Sequence, residues 1–167
     1  MTDPAGGASK DGADAPAAPK ASEAPQHIQA PWADHMGLTY VSIAEQEVVA
    51  ELVVTPMHYQ PMGVVHGGVY CSIVETVCSV GAFLHSSKRG LFVVGVDNQT
   101  SFLKATRAGT LRATARPLSV GRRTQLWEAN IHNRDGALVA TGRVRLVAVE
   151  PGSNLGGRNA GELASEK

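Results

Sequence analysis

Gly63-Val64-Val65-His66-Gly67-Gly68-Val69-Tyr70-Cys71-Ser72-Ile73-Val74-Glu75-Thr76-Val77-Cys78-Ser79-Val80-Gly81-Ala82-Phe83-Leu84 is the stretch whose reading decides the architecture. From Gly67 to Leu84 apolar and polar residues do not alternate, and no turn residue interrupts the run before Gly81. Its 18 residues are too many for an ordinary strand and suit a helix. It is apolar nearly all round, as expected of a helix enclosed by other structure. Glu75 is its only charged residue.

The segments on either side have a period of two. Leu38–Ala44 and Val48–Thr55 are β-branched runs separated by Glu45-Gln46-Glu47, which predicts a hairpin. Leu91–Leu103 reads as a strand rich in Val, Thr and Phe. In Thr110–Leu118, Leu111, Ala113 and Ala115 alternate with Arg112, Thr114 and Arg116, so one face is apolar and the other wet. Thr124–Asn133 and Ala137–Val149 flank Arg134-Asp135-Gly136, and Asp-Gly marks a hairpin turn. In the last strand Leu138, Ala140, Gly142, Val144, Leu146 and Ala148 are expected on one face. The order β-β-α-β-β-β-β describes an α+β domain, an antiparallel sheet with one buried helix.

This core is expected to occupy Pro31–Glu150. Residues 1–30, rich in Ala, Pro, Gly and Ser, read as a disordered tail, and residues 151–167 as a flexible one. The 167 residues carry 15 Lys+Arg and 15 Asp+Glu, so the net charge of zero argues against a dedicated nucleic-acid binder. That total conceals a split. Pro31–Ser87 has a balance of −5, and Lys88–Glu150 one of +7. A small polyanionic ligand fits such a core. The nearly uncharged stretch Val69–Leu84, 16 residues, falls short of the roughly 18–20 apolar residues of a membrane span. The N-terminus has no basic segment followed by an apolar run. Cys71 and Cys78, too far apart on a helix to bridge, read as two buried core thiols, consistent with a cytoplasmic location. His58 and His85 read as surface or loop residues. Nucleotide-hydrolase, dinucleotide and zinc patterns are absent from the sequence, so no metal or cofactor is expected.

The chemistry gathers around Glu75. An ionised carboxylate on an apolar helix is normally paired, neutralised or functional, unless it faces solvent or a subunit interface. Ser72, Glu75 and Ser79 share one helix face and make a polar stripe that could line a pocket. At the helix start, Gly67 and Gly68 let backbone approach a ligand closely. The first N–H groups there lack internal partners and carry partial positive charge, which suits an oxyanion. Glu75 lies roughly 12 Å further along the axis. One atom cannot touch both within a single helix, so a carboxylate from a second subunit would complete the site. His66, beside the helix start, is a candidate either for a general base or for ordering the loop.

His66-Gly67-Gly68-Val69 through Glu75 to Gly81-Ala82, with Asp97-Asn98-Gln99-Thr100-Ser101-Phe102 further on, resembles the hotdog-fold acyl-CoA thioesterases of the PaaI-like group. The likeness covers Trp32–Val149 and is nearest to the Arthrobacter-type 4-hydroxybenzoyl-CoA thioesterases. It implies a long helix wrapped by an antiparallel sheet of five or six strands, and homodimers assembled into homotetramers. It implies that the Gly67 N–H polarises a thioester carbonyl, and that Glu75 from the partner subunit attacks it or activates water. Gln60 and Ser79 would orient the reacting groups, and His66 would more often order the loop. Ser79 stands where that group has Thr, and the hydroxyl is kept. Coenzyme A would enter as part of the substrate, with Gly68 near it. Its phosphates would be held by Arg122 and Arg123, a doubly basic turn that departs from the Ser/Thr contacts of that group, or by Lys104 and Arg107. Lys88 and Arg89 are further candidates. Two other readings fit the same fold: a hydratase or dehydratase, and a non-catalytic acyl-CoA-binding or sensing module.

Overall fold

The structure, a computed structural model, describes residues 30–165. The disordered tail expected over residues 1–30 lies outside the described residues apart from Ala30, which packs against the core.

The central stretch forms α2, Gly67–Ser87, three residues longer than its apolar pattern. Around it runs a six-stranded antiparallel sheet of β1 (Leu38–Ala44), β2 (Glu47–Val53), β3 (Phe92–Phe102), β4 (Thr110–Val120), β5 (Thr124–Asn133) and β6 (Leu138–Val149). The spatial order is β1-β2-β4-β5-β6-β3. All six strands contact α2. Small residues make this enclosure fit. In one row across the sheet Ala115 pairs Ala129, Ala129 pairs Gly142, and Gly142 pairs Thr100. A β-carbon on Gly142 would meet Val74 of α2 at 3.0 Å, so the helix rests almost on the backbone there.

Four bulges bend the sheet, and each adds one unpaired residue that increases the local twist. Three of those residues, Val41, Val96 and Leu118, account for exposed apolar side chains on the strands. The fourth, Val139, corrects the face expected for the start of β6. Ile131 pairs Ala140 while His132 pairs Leu138, so Val139 turns inward and Leu138 lies exposed. The β1–β2 turn is also tighter than expected, because Glu47 already belongs to β2. Gly136, in the Asp-Gly turn, has φ 77°, the left-handed conformation that glycine adopts without strain.

Burial on α2 is one-sided, which differs from the enclosed helix read from its composition. Tyr70, Ile73, Val74, Val77, Cys78 and Gly81 face the sheet at helical spacing. Ser72, Glu75, Thr76 and Ser79 are only half-buried, and Phe83 is exposed. The described residues leave this face uncovered. By length and composition alone α2 matches a bilayer-crossing helix, but its apolar face packs on six strands, the position of a core helix.

Two histidines are structural rather than superficial. His58, 4% exposed, accepts at Nδ1 from the Thr55 N–H (2.9 Å) and donates from Nε2 to the Met36 carbonyl (2.9 Å). That pattern sets its neutral tautomer. It ties the 3-10 turn Pro56–His58 to α1 (Pro31–Met36), a short helix that the sequence pattern did not announce. His85 is half-buried, bonds the Glu45 carbonyl at 2.7 Å and packs against the Trp127 ring. Nearby, the buried Gln125 amide donates to Ala82 O and Ser86 Oγ and accepts from Trp127 Nε1, so each polar atom of that contact is satisfied.

The charge split resolves into two pairs across strands and one between the β1–β2 turn and the end of α2. Glu51 meets Arg112, Glu47 meets Arg116 and Glu45 meets Lys88. Such exposed pairs contribute only about 0–1 kcal/mol each, but they favour this register over others. Beyond Glu150, in the segment read as a tail, the chain forms a small hairpin, β7 (Asn154–Leu155) with β8 (Arg158–Asn159), and α3 (Ala160–Ser165). Ala160 is buried.

Candidate active site

Glu75 projects from the open face of α2 into a cleft of about 310 Å³ lined by Trp32, Cys71, Ser72, Thr76 and Asn98. The adjoining cleft, about 360 Å³, shares Trp32 and Ser72 and runs past His66, Gly68 and Val69. The open helix face is therefore one groove from the helix start to the carboxylate, with α1 and its exposed Trp32 as one wall.

The carboxylate is held on both oxygens. Asn98 Nδ2 donates to Glu75 Oε2 at 2.8 Å, and Ser79 Oγ donates to Oε1 at 3.4 Å. A bulge in β3 at Val96 makes this possible. Without it Gly95 and Asn98 would face opposite sides of the sheet; with it both face α2. A β-carbon on Gly95 would lie 2.2 Å from Glu75 Oε1, so the strand offers the carboxylate a bare stretch of backbone. Among the described residues no Lys, Arg or His forms an ion pair with Glu75. Of the two thiols, Cys78 is in the core, and burial, then Glu75 and Glu128, push its ionisation up, so it stays a protonated and poor nucleophile. Cys71 is only half-buried and lines the Glu75 cleft, which corrects its reading as a core residue.

At the helix start His66 is the N-cap, its Nδ1 accepting from the Gly68 N–H at 2.9 Å. The Gly68 donor, expected near a ligand, is thereby used within the chain. The Gly67 N–H meets no acceptor among the described residues. Gly67 also borders a separate cleft of about 250 Å³ with Tyr70, Phe102, Leu103 and Lys104. Gln60 stands in the loop before α2, where its Oε1 accepts from the Met62 N–H at 2.6 Å. It lines neither cleft of the groove. Glu75, Ser79, His66 and Gly68 thus share one groove or its floor, Gly67 opens on its neighbour, and Gln60 stands apart within a single chain.

The basic candidates separate. Arg122 and Arg123 form the β4–β5 turn at the far end of α2, where Arg89 Nη1 donates to the Arg122 carbonyl at 2.8 Å. Lys104 and Arg107 follow β3 at the helix start, and the Tyr59 hydroxyl donates to the Arg107 carbonyl. Among the described residues none of these four holds an ion pair, whereas Lys88 pairs with Glu45. Asn98, Thr100, Gly95 and Trp32 were not singled out as site residues from the sequence. For the first two the signal was present, since Asn98, Thr100 and Phe102 share one face of a strand with Phe102 against Gly67. An isolated glycine in a strand, as at Gly95, also marks a bulge.

The fold is shared with known proteins. The sequence profile described as Thioesterase superfamily matches residues 62–140. The solved structure of Rv1847/MT1895 from Mycobacterium tuberculosis is 40% identical, with a TM-score of 0.71 over 72% of this chain and 98% of that one. EntH of Cronobacter sakazakii, named a proofreading thioesterase, is 31% identical over 66% of this chain and 80% of its own length. The Escherichia coli PaaI protein from the phenylacetic acid degradation operon is 25% identical, with a TM-score of 0.66 over 71% of this chain and 83% of that one. The chain belongs to the thioesterase superfamily, as a thioester hydrolase of the PaaI-like hotdog type.

Proposed function

We propose that the protein hydrolyses an acyl-CoA, fatty or aryl, to the free acid and coenzyme A in a site shared by two subunits. The observation that carries this reading is the single carboxylate on the uncovered face of α2, hydrogen-bonded on both oxygens and open to a groove. The thioester carbonyl accepts from the Gly67 N–H, which stabilises the negative charge that develops on oxygen. Glu75 of the other subunit attacks the carbonyl carbon or takes a proton from the attacking water. The C–S bond then breaks and coenzyme A leaves as the thiol, with a proton that comes from water; where Glu75 itself attacked, water next cleaves the mixed anhydride, which releases the acid and restores the carboxylate. Ser79 and Gln60 orient the reacting groups, and His66 holds the loop as the N-cap. Gly67 and Glu75 are roughly 12 Å apart along one helix, which is the reason for placing them on different subunits. An uncovered helix face of this kind suits a homodimer, assembled further into a homotetramer. Arg122 and Arg123, or Lys104 and Arg107, hold the nucleotide phosphates. The chemistry needs no resident metal or cofactor, and the protein works in the cytoplasm.

Free-thiol release from a panel of short, medium, long and aryl acyl-CoAs tests the reading, with Glu75→Ala in parallel. Release from the wild type and its loss in Glu75→Ala are expected. Binding of CoA esters with no release of thiol would instead indicate an acyl-CoA-binding module. Full activity in Glu75→Ala would move the chemistry to another residue.

A further inference from the structure

We propose that Asn98, itself oriented by Thr100, is a positioning residue that fixes the Glu75 carboxylate for reaction. The inference rests on the reading of Glu75 as the reacting carboxylate and adds residues that this reading does not assign.

Three hydrogen bonds carry it. Thr100 Oγ1 donates to Asn98 Oδ1 at 2.7 Å. The Glu75 carboxylate and the Cys71 carbonyl can only accept, so the NH2 end faces the helix, and Thr100 steadies the other end of the amide. From there Nδ2 donates to Glu75 Oε2 at 2.8 Å and to the Cys71 carbonyl at 3.2 Å. The second bond anchors the amide on the turn of α2 that precedes Glu75, so the donor and the carboxylate keep one geometry. The chain Thr100–Asn98–Glu75 runs from a paired strand residue to the reacting group. The Asn98 side chain is the bond between edge strand and helix at this point.

The effect on Glu75 is directional. A glutamate on a helix has three rotatable side-chain bonds, and Ser79 at 3.4 Å is a weak restraint. The Asn98 bond selects one rotamer without bringing a cation that would quench the carboxylate's reactivity. The titratable groups that face Glu75 are the thiols of Cys71 and Cys78 on its own helix; from β3 it meets the neutral Asn98 and the backbone of Gly95.

The test compares wild type, Asn98→Ala, Asn98→Asp, Thr100→Val and Glu75→Gln with benzoyl-CoA or lauroyl-CoA, whichever the wild type cleaves faster. The readouts are kcat, KM and the pH dependence of kcat. Asn98→Ala is expected to lower kcat roughly 10- to 100-fold, the size of a misplaced reacting group, with KM changed less than about threefold. Asn98→Asp keeps the shape but sets a carboxylate against a carboxylate, so the acid limb of the profile moves to higher pH. Thr100→Val lowers kcat by a smaller factor, about three to ten, because the amide is no longer held in one orientation. A side chain that only supported the fold would lower thermal stability and leave the acid limb where it was. Glu75→Gln inactive, with Asn98→Asp and Thr100→Val keeping wild-type kcat and profile, overturns the proposal alone. Glu75→Gln fully active, or no ester cleaved by the wild type, overturns the reading of the site and the proposal with it.

Discussion

Gly67 and Phe102 are packed so closely that a side chain at the helix start has no room: a β-carbon on Gly67 would lie 2.6 Å from Cε2 and 2.8 Å from Cζ of the Phe102 ring. The ring is backed in turn by Tyr70, at 5.8 Å between centroids. The first N–H of α2 is thereby set by the end of β3, the same strand that holds Glu75 through Asn98. Gly67→Ala is expected to fold, to displace the helix start by a few tenths of an ångström or more, and to lose about 100-fold in kcat. Phe102→Leu in the same chain opens the space and restores part of the loss. Steady-state kinetics of the two single variants and the double variant check the coupling, and strict additivity would count against it.

Gly95→Ala tests the other half of the site. The added methyl falls 2.2 Å from Glu75 Oε1, the far end of a flexible side chain, so the carboxylate and not the strand gives way. Thermal stability is expected to change by less than about 1 kcal/mol, while kcat falls roughly 10- to 100-fold. An active Gly95→Ala enzyme would show that the Glu75 position seen here is not the one that reacts.

The helix, the succession of strands along the chain and the Asp-Gly hairpin were legible because each has a local cause: an 18-residue apolar run, period two, and a turn that requires positive φ. The start of β6 was not, because a bulge at Val139 turns Leu138 outward, while Ala140, Gly142, Val144 and Leu146 face inward as expected. A bulge also sets the partner of Glu75. Gly95 and Asn98 face one side only because Val96 is unpaired. Composition also misread the helix environment: Gly67–Leu84 is apolar all round, yet one chain covers one face. His58 looked superficial because its burial depends on α1, a six-residue helix too short to show a period.

Gly81 and Trp127 are a structural counterpart of Gly67 and Phe102. A β-carbon on Gly81 would sit 2.4 Å from the Trp127 ring, which is fully buried and pinned by Gln125. Alanine gains about 1 kcal/mol of helix propensity over glycine. Overpacking a rigid ring costs about 1–3 kcal/mol. Gly81→Ala should therefore lower stability on balance, as measured by denaturant unfolding, with the Trp127 emission altered in the native state. A gain in stability would mean that α2 can rise off the sheet at low cost.

Tyr40 gives the fold an alkaline limit. Its hydroxyl is buried without a hydrogen-bond partner among the described residues, and burial, then the Asp34 carboxylate, push its ionisation up to about 12 from an ordinary 10.0. The folded chain then binds the phenol proton more tightly than the unfolded chain. Stability from this residue is fully present below pH 10 and is lost as the pH rises towards 12. Tyr40→Phe removes an unpartnered hydroxyl, so it should be neutral or stabilising near pH 7 and should flatten the alkaline fall. Unfolding curves from pH 7 to 12 for both proteins check this, and parallel curves would contradict it.

The two basic pairs stand at opposite ends of a 21-residue helix, about 30 Å apart along its axis, so they would hold a nucleotide in two different placements. Among the described residues Arg122 and Arg123 have no acidic partners, and their guanidinium groups match phosphate geometry better than the Lys104 ammonium. Arg122→Ala with Arg123→Ala should therefore raise KM for a CoA ester about tenfold and leave kcat nearly unchanged, the signature of lost uniform binding. The matching N-acetylcysteamine thioester, which lacks the nucleotide, should show no difference between the two proteins. The wild-type preference for the CoA ester should weaken with added salt, since the contact is exposed. If Lys104→Ala with Arg107→Ala raises KM instead, the nucleotide lies beside the helix start that carries Gly67.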